Sequence, residues 1–241
     1  MADHAKQLTD QQVAFFKAFG FVAYRQCFAG RELEAIERDF EMVMAEARGG
    51  KSFDGGDRQQ VSDMIQHQPA ITQILADERI GGSVRRLLGP GCYLQSTDAN
   101  LYVGDTLWHA DHGWHPTMLG VEPTEQFRRS RYHPGLKVSL YLDQVGPQSG
   151  CLRVIPGSQI SPFHESLRSL HCDIGPEALA AANEPEFGVE PAQIPCYSIE
   201  SRPGDVVFFS HLVWHSSFGG RSGRRMFSMN FAAETEAEAD A

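Results

Sequence analysis

Several classes of function are disfavoured by what this 241-residue chain has little of. Cysteine is scarce: five residues, an odd number, scattered with no C-x-x-C pair. Neither a disulfide framework nor a thiolate zinc site is expected, and reduced thiols in a cytoplasmic protein are the simplest reading. Positive charge is also in deficit, with 21 Lys and Arg against 31 Asp and Glu and a formal net charge of −10. That balance argues against nucleic acid or an anionic membrane as the main partner. No apolar run is long enough to span a bilayer. The opening "MADHAKQLTD" lacks the basic-then-apolar order of a secretory signal. Repeats and low-complexity linkers are missing, so a single domain is expected. The glycine-rich "GGRSGRR" lies between two strand-like segments instead of opening a helix, which disfavours a phosphate loop.

What is present divides into two textures. The first third, about 8–88, reads as helical. Thr9 and Gln12 form a capping box, Val13, Phe16 and Phe19 follow at helical spacing, and Gly20 ends the run. "FVAY" reads as a short strand. A second helix starts near Gly30 and carries Leu33, Ile36, Phe40, Val43 and Met44 on one stripe. "GGKSFDGGDRQQ" reads as a loop, and "PAITQILADERIGGSVRRLLG" as a helical region interrupted at Gly81-Gly82.

From about 91 to 232 the pattern changes to short strands punctuated by Gly and Pro: "CYLQSTDANLYV", "TLWHAD", "GLKVSLYLDQ", "GCLRVIPGS", "CYSIESRP", "DVVFFS" and "RRMFSMNFA". Such spacing predicts a β-sandwich or barrel, with one helix near 176–183 between strands and an acidic solvated tail at 233–241.

The densest chemistry lies in "TLWHADHGWHP". Gly113 and Pro116 exclude a helix that would align its three histidines. On a strand, residues two apart share a face, so His109 and Asp111 point together with Ala110 opposite. One imidazole and one carboxylate make two-thirds of a 2-His-1-carboxylate triad. A second His-x-Asp, His171 and Asp173, precedes a helix-like run and reads as a turn or cap. Third-ligand candidates are His133, His164, His211 and His215. Further on, "RRMFSMNF" alternates Phe227, Met229 and Phe231 against Arg224, Met226, Ser228 and Asn230. An arginine on the mixed face of a buried strand needs an anionic partner, and a dicarboxylate gripped in two places would serve.

Taken in order, His-x-Asp, "GCLRVIPGS" and "GDVVFF…H-x-S…R" resemble the phytanoyl-CoA dioxygenase family of Fe(II)/2-oxoglutarate oxygenases. The likeness runs from "LTDQQVAFFKAFGFV" to "RRMFSMNF". It implies a mainly β fold with flanking helices, the double-stranded β-helix or cupin-like jelly roll. It implies Fe(II), 2-oxoglutarate and dioxygen as cofactors, hydroxylation of a small molecule, and release of succinate and carbon dioxide. Carried over, the iron ligands are His109, Asp111 and His215, and Arg224 with Ser217 binds the distal carboxylate of 2-oxoglutarate. His211 matches no ligand and is expected at the rim or in packing. The retained Asp111 disfavours halogenation, because related halogenases lack this carboxylate.

Within the family, "LQSTDAN…WHADHGWH" is similar to a run in ectoine hydroxylases. That likeness places Asn100 and Ser139 near 2-oxoglutarate, and Gln95 and Trp114 at the substrate pocket. The short "HGWH" departs from the ectoine pattern, and Gln159 departs from the common "IPGSH". His112 and Arg131, the latter in the basic run "FRRSRYHPGLK", are further candidates for contact with substrate; surface positions are the structural alternative for both. Two other readings stay open: a non-redox metal-dependent isomerase or hydrolase on a cupin-like barrel, and a catalytically silent binding relative. The Arg224–Ser217 pair counts against the first, and the complete triad against the second.

Overall fold

The computed structural model describes residues 7–63, 69–111, 135–170 and 188–233. The expected helix near 176–183, the acidic tail, and His112, Trp114, Arg131, His133 and the His171–Asp173 pair lie outside the described residues.

Helix α1 (Asp10–Phe19) opens on the expected capping box: Thr9 Oγ1 accepts from the Gln12 amide at 3.3 Å, and Gln12 Oε1 accepts from the Thr9 amide at 2.8 Å. It closes at Gly20, whose φ of 81° is the left-handed conformation that glycine adopts without a Cβ clash. Thr9→Ala is expected to cost about 1 kcal/mol in urea unfolding, with no change in the denaturant slope.

Strand β1 (Phe21–Tyr24) follows, then helix α2 (Gly30–Ala47), which buries Ile36, Phe40, Val43 and Met44. Next comes β2 (Gln59–Ser62), which corrects the sequence reading of this stretch as loop. Gln59 to Ser62 have no apolar alternation to announce a strand. They are held extended by pairing along one edge of the neighbouring strand, with Gln60 opposite Asn100. Helix α3 (Pro69–Ala76) ends at Asp77, whose extended backbone (ψ 129°) breaks the run. The break is therefore at Asp77, and the Gly81-Gly82 pair instead lies within a π-helical turn (Glu78–Gly82) that leads into α4 (Ser83–Leu88). A Cβ on Gly81 would come within 2.8 Å of the Leu75 carbonyl oxygen, so close packing explains that glycine.

Eight more strands complete two antiparallel sheets: β3 (Cys92–Tyr102), β4 (Thr106–His109), β5 (Gly135–Tyr141), β6 (Leu152–Val154), β7 (Tyr197–Ile199), β8 (Val206–Ser210), β9 (His215–Ser217) and β10 (Arg224–Ala233). A short helix α5 (Phe163–Ser166) precedes β7. The larger sheet runs β1-β8-β5-β10-β3-β2 and the smaller β4-β9-β6-β7. This is the jelly roll that the resemblance implies, with β1 and β2 from the helical third extending the larger sheet at both edges.

Alternation along the strands sorts the side chains into layers. Phe208, Phe227 and Met229 face outward against α2, α3 and α4, forming the largest core. Tyr141, Leu152, Val207 and Phe209 face inward between the sheets. Trp108, Ala110, Trp214 and Phe218 pack on the far face of the smaller sheet. Because Trp108 and Ala110 turn outward, His109 and Asp111 turn inward, and the same parity turns His215 inward beside Trp214.

Candidate active site

Pairing between β4 and β9 sets His109 directly opposite His215, with ring centroids 4.1 Å apart. His215 begins β9 itself, shortly after the end of β8 at Ser210. Each histidine bonds through Nδ1 to the carbonyl two residues back: His109 to Leu107 at 2.8 Å and His215 to Val213 at 2.9 Å. A carbonyl only accepts, so Nδ1 carries the proton and both Nε2 lone pairs are left for the cavity. Asp111 completes the group. Its Oδ1 is 4.0 Å from His109 Nε2 and its Oδ2 is 3.9 Å from His215 Nε2, too far for hydrogen bonds. One ligand atom from each of the three residues falls within 4.8 Å of the others.

Two further observations fit this donor set to a divalent metal. Asp111 Oδ2 is buried and, among the described residues, accepts no hydrogen bond, an arrangement that costs free energy unless a cation takes the lone pairs. Burial pushes the His215 imidazole down to about 3, with His109 adding to the effect, so it stays in the neutral form that binds metal. For Asp111, burial opposes the charge, but the Lys137 ammonium outweighs it together with the nearby histidines. The carboxyl is held far below its usual range. Lys137 Nζ donates to Asp111 Oδ1 at 2.8 Å.

At the other end of the same cavity lies Arg224. It is buried, and among the described residues it makes no ion pair with a carboxylate. Its Nη1 donates to the Gly150 carbonyl at 2.6 Å and to Ser217 Oγ at 3.1 Å, and its Nη2 to the Gly104 carbonyl at 2.7 Å. Tyr102 lies beneath the guanidinium, 5.4 Å from its ring centroid. Neighbouring Arg225 points to the opposite face and is neutralised there by Asp143, Glu37 and Glu41. The alternation along β10 therefore separates one arginine with counterions from one that has none among the described residues.

The cavity joining these two ends has a volume of about 270 Å³. Its wall includes Ser139, whose buried hydroxyl has no hydrogen-bond partner among the described residues, and Tyr141, whose hydroxyl burial keeps protonated. Asn100 is buried behind the wall, and its Oδ1 is taken by Arg58 through Nε at 3.0 Å and Nη2 at 2.6 Å. Gln95 is exposed: Ser96 pairs with Asn230 and Leu94 with Phe231, so Gln95 is the extra residue of a bulge and is not among the cavity-lining residues. His211 is buried against Gly135, and Gln159 bonds to the Lys17 and Ala18 carbonyls, both in packing positions. A larger depression of about 630 Å³ lies outside the sheets against Phe15, Phe19 and Tyr197, away from every residue of the histidine cluster.

Among the cavity residues, Arg58 and Tyr141 were given no role from the sequence, and Lys137 was read only as a member of the basic run. Lys137, Ser139 and Tyr141 alternate on β5, so a lysine on the inward phase of an apolar strand was a usable signal. Arg58 had none, since its segment reads as loop.

Comparison with known proteins agrees with this geometry. The family model described as "Phytanoyl-CoA dioxygenase (PhyH)" matches residues 16–227. The chain belongs to the phytanoyl-CoA dioxygenase family and is an Fe(II)/2-oxoglutarate-dependent dioxygenase. Among curated proteins it is similar to the ectoine dioxygenase of Stutzerimonas stutzeri (strain A1501), 26% identical over 226 residues, covering 85% of this chain and 69% of the relative. Among solved structures, the fold matches EctD from S. alaskensis with a TM-score of 0.66 at 20% identity, covering 97% of this chain and 79% of that one. It also matches HygX from Streptomyces hygroscopicus, solved with nickel and 2-oxoglutarate, with a TM-score of 0.67 at 17% identity over 94% and 88% of the two chains. No helix among the described residues is long and apolar enough to cross a membrane.

Proposed function

We propose that this enzyme hydroxylates an unactivated C–H bond of a small natural-product-like or amino-acid-like molecule. 2-Oxoglutarate and dioxygen are consumed, and succinate and carbon dioxide are released. The observation that carries the reading is the buried Arg224, without a carboxylate partner among the described residues, in one cavity with His109, Asp111 and His215. A dicarboxylate supplies what both ends lack: a counterion for Arg224 and oxygen donors beside the histidines.

In this assignment His109 Nε2, His215 Nε2 and an Asp111 oxygen hold Fe(II). When bound, the metal supplies the redox chemistry that couples decarboxylation of 2-oxoglutarate to oxidation of the substrate. The protein's own residues position the reactants. Arg224 and Ser217 fix the distal carboxylate, and Tyr141 and Ser139 offer hydroxyls along the same wall. Asn100 acts on the cosubstrate end through Arg58, which it orients. Phe209, with its ring 4.9 Å from that of His215, is an apolar wall for substrate. His112, Trp114 and Arg131 are retained as candidates for substrate contact on the sequence likeness alone. Ectoine, the substrate named for the curated relative, is not proposed here: the ectoine-type run is shortened to "HGWH" and Gln95 sits on an exposed bulge. The free thiols Cys27, Cys92, Cys151 and Cys196 support a cytoplasmic setting.

The test is anaerobic addition of Fe(II) and 2-oxoglutarate, followed by a substrate panel in air. A visible charge-transfer band is expected, then substrate-dependent succinate release with one oxygen atom gained by the product. A band with no oxygenated product from any compound would leave the class intact and remove hydroxylation.

A further inference from the structure

Resting on that reading, we propose that the substrate carries an anionic group, a carboxylate or a phosphate, and that it docks on the Lys137 ammonium. Among the described residues, the cavity lining includes Arg58, Lys137, Arg224 and Arg225, the last with its guanidinium turned away, and one carboxylate, Asp111. Arg225 has three carboxylates of its own on the outer face. Arg224 is accounted for by the distal carboxylate of 2-oxoglutarate. Among the described residues the one carboxylate in ion-pair contact with Lys137 is Asp111, with Asp98 acting at longer range, and Asp111 is also the anionic ligand of the proposed metal centre. With a divalent cation bound, one carboxylate serves two cations, and a lysine in that position lacks a full counterion.

Placement separates this site from the cosubstrate. On β5, Tyr141 lies at the Arg224 end, Ser139 in the middle and Lys137 two residues further on, opposite Phe209 of β8 and Asn230 of β10. Four residues of strand carry Lys137 about 13 Å along β5 from Tyr141, to the side of the histidine cluster away from Arg224. An ammonium has three N–H donors, and Lys137 spends one on Asp111 Oδ1. Its side chain is 20% exposed, and it is part of the cavity lining. The Phe209 ring lies 5.8 Å from Nζ, so an anion on Lys137 brings the adjoining carbon skeleton against an apolar face beside the metal ligands.

The experiment uses the full chain loaded anaerobically with Co(II) and 2-oxoglutarate, with acetate and inorganic phosphate as separate probes in equilibrium dialysis. The wild type is expected to bind one equivalent of one probe. Binding of acetate assigns a carboxylate-bearing substrate, and binding of phosphate assigns a phosphorylated one. K137M should weaken that binding about tenfold or more, K137R should keep it, and Co(II) and 2-oxoglutarate should bind all three proteins alike. Equal probe binding by K137M places the anion on the metal or on Arg58 and overturns the proposal, as does a wild type that binds neither probe. Loss of Co(II) or 2-oxoglutarate in both K137M and K137Q assigns Lys137 to Asp111 or to the cosubstrate, which also overturns it. If the wild type itself fails to take up Co(II) and 2-oxoglutarate, the oxygenase reading of the site fails first.

Discussion

Asp111→Ala is expected to lower turnover by at least ~10³-fold, about 4 kcal/mol of lost transition-state stabilisation, and to abolish the band formed by Fe(II) and 2-oxoglutarate. The reason lies in the charge of the cavity. Asp111 is its one carboxylate among the described residues, and it sits against the Lys137 ammonium. Removing it leaves two neutral imidazoles and a bare cation, a combination that repels a divalent metal. Asp111→Asn tests the same point with shape kept and charge removed, and should fall nearly as far. Circular dichroism should show the fold intact, because Asp111 lies just past β4 and faces the cavity instead of the apolar core. Metal retention and turnover close to wild type in Asp111→Ala would remove the proposed triad.

Arg224→Met is expected to raise the KM for 2-oxoglutarate by ~10²-fold, in the range for truncating one partner of a buried, hydrogen-bonded charge pair. The maximal rate at saturating cosubstrate should change less. Arg224→Lys should not restore binding, since an ammonium cannot reproduce the fork that reaches Gly150, Ser217 and Gly104 together. Gly150 provides an independent check. Its φ of 80° disfavours any side chain, and a Cβ there would lie 2.3 Å from Arg224 Nη1. Gly150→Ala should therefore displace the guanidinium and weaken 2-oxoglutarate binding in the same direction as Arg224→Met. A KM for 2-oxoglutarate that neither substitution moves would show that the cosubstrate lies elsewhere.

Much of this was legible in the chain because strand parity is a local property. The alternation that turns Trp108 and Ala110 out turns His109 and Asp111 in. The same rule on β10 separates Arg224 from Arg225 before any tertiary contact is known. The capping box of α1 was readable for the same reason, since its four partners lie within four residues. β2 was not legible: Gln59 to Ser62 are extended because β3 pairs with them, and no side-chain pattern records that pairing. The helix break at Asp77 was misplaced because glycines are ordinarily breakers, whereas Gly81 is required here by the Leu75 carbonyl against it.

The sequence alone thus determined which face of its own strand each candidate residue occupies, and the family resemblance supplied the proposed ligand set. Only the tertiary structure decided that β9 pairs with β4, bringing His215 opposite His109 across more than a hundred residues of chain. It also decided that Lys137, read from the sequence as one more member of a basic run, meets Asp111 inside the cavity. The physical reason is that parity is fixed by the backbone every two residues, whereas register and strand order are fixed by which faces bury together. That second choice is made by the whole core at once.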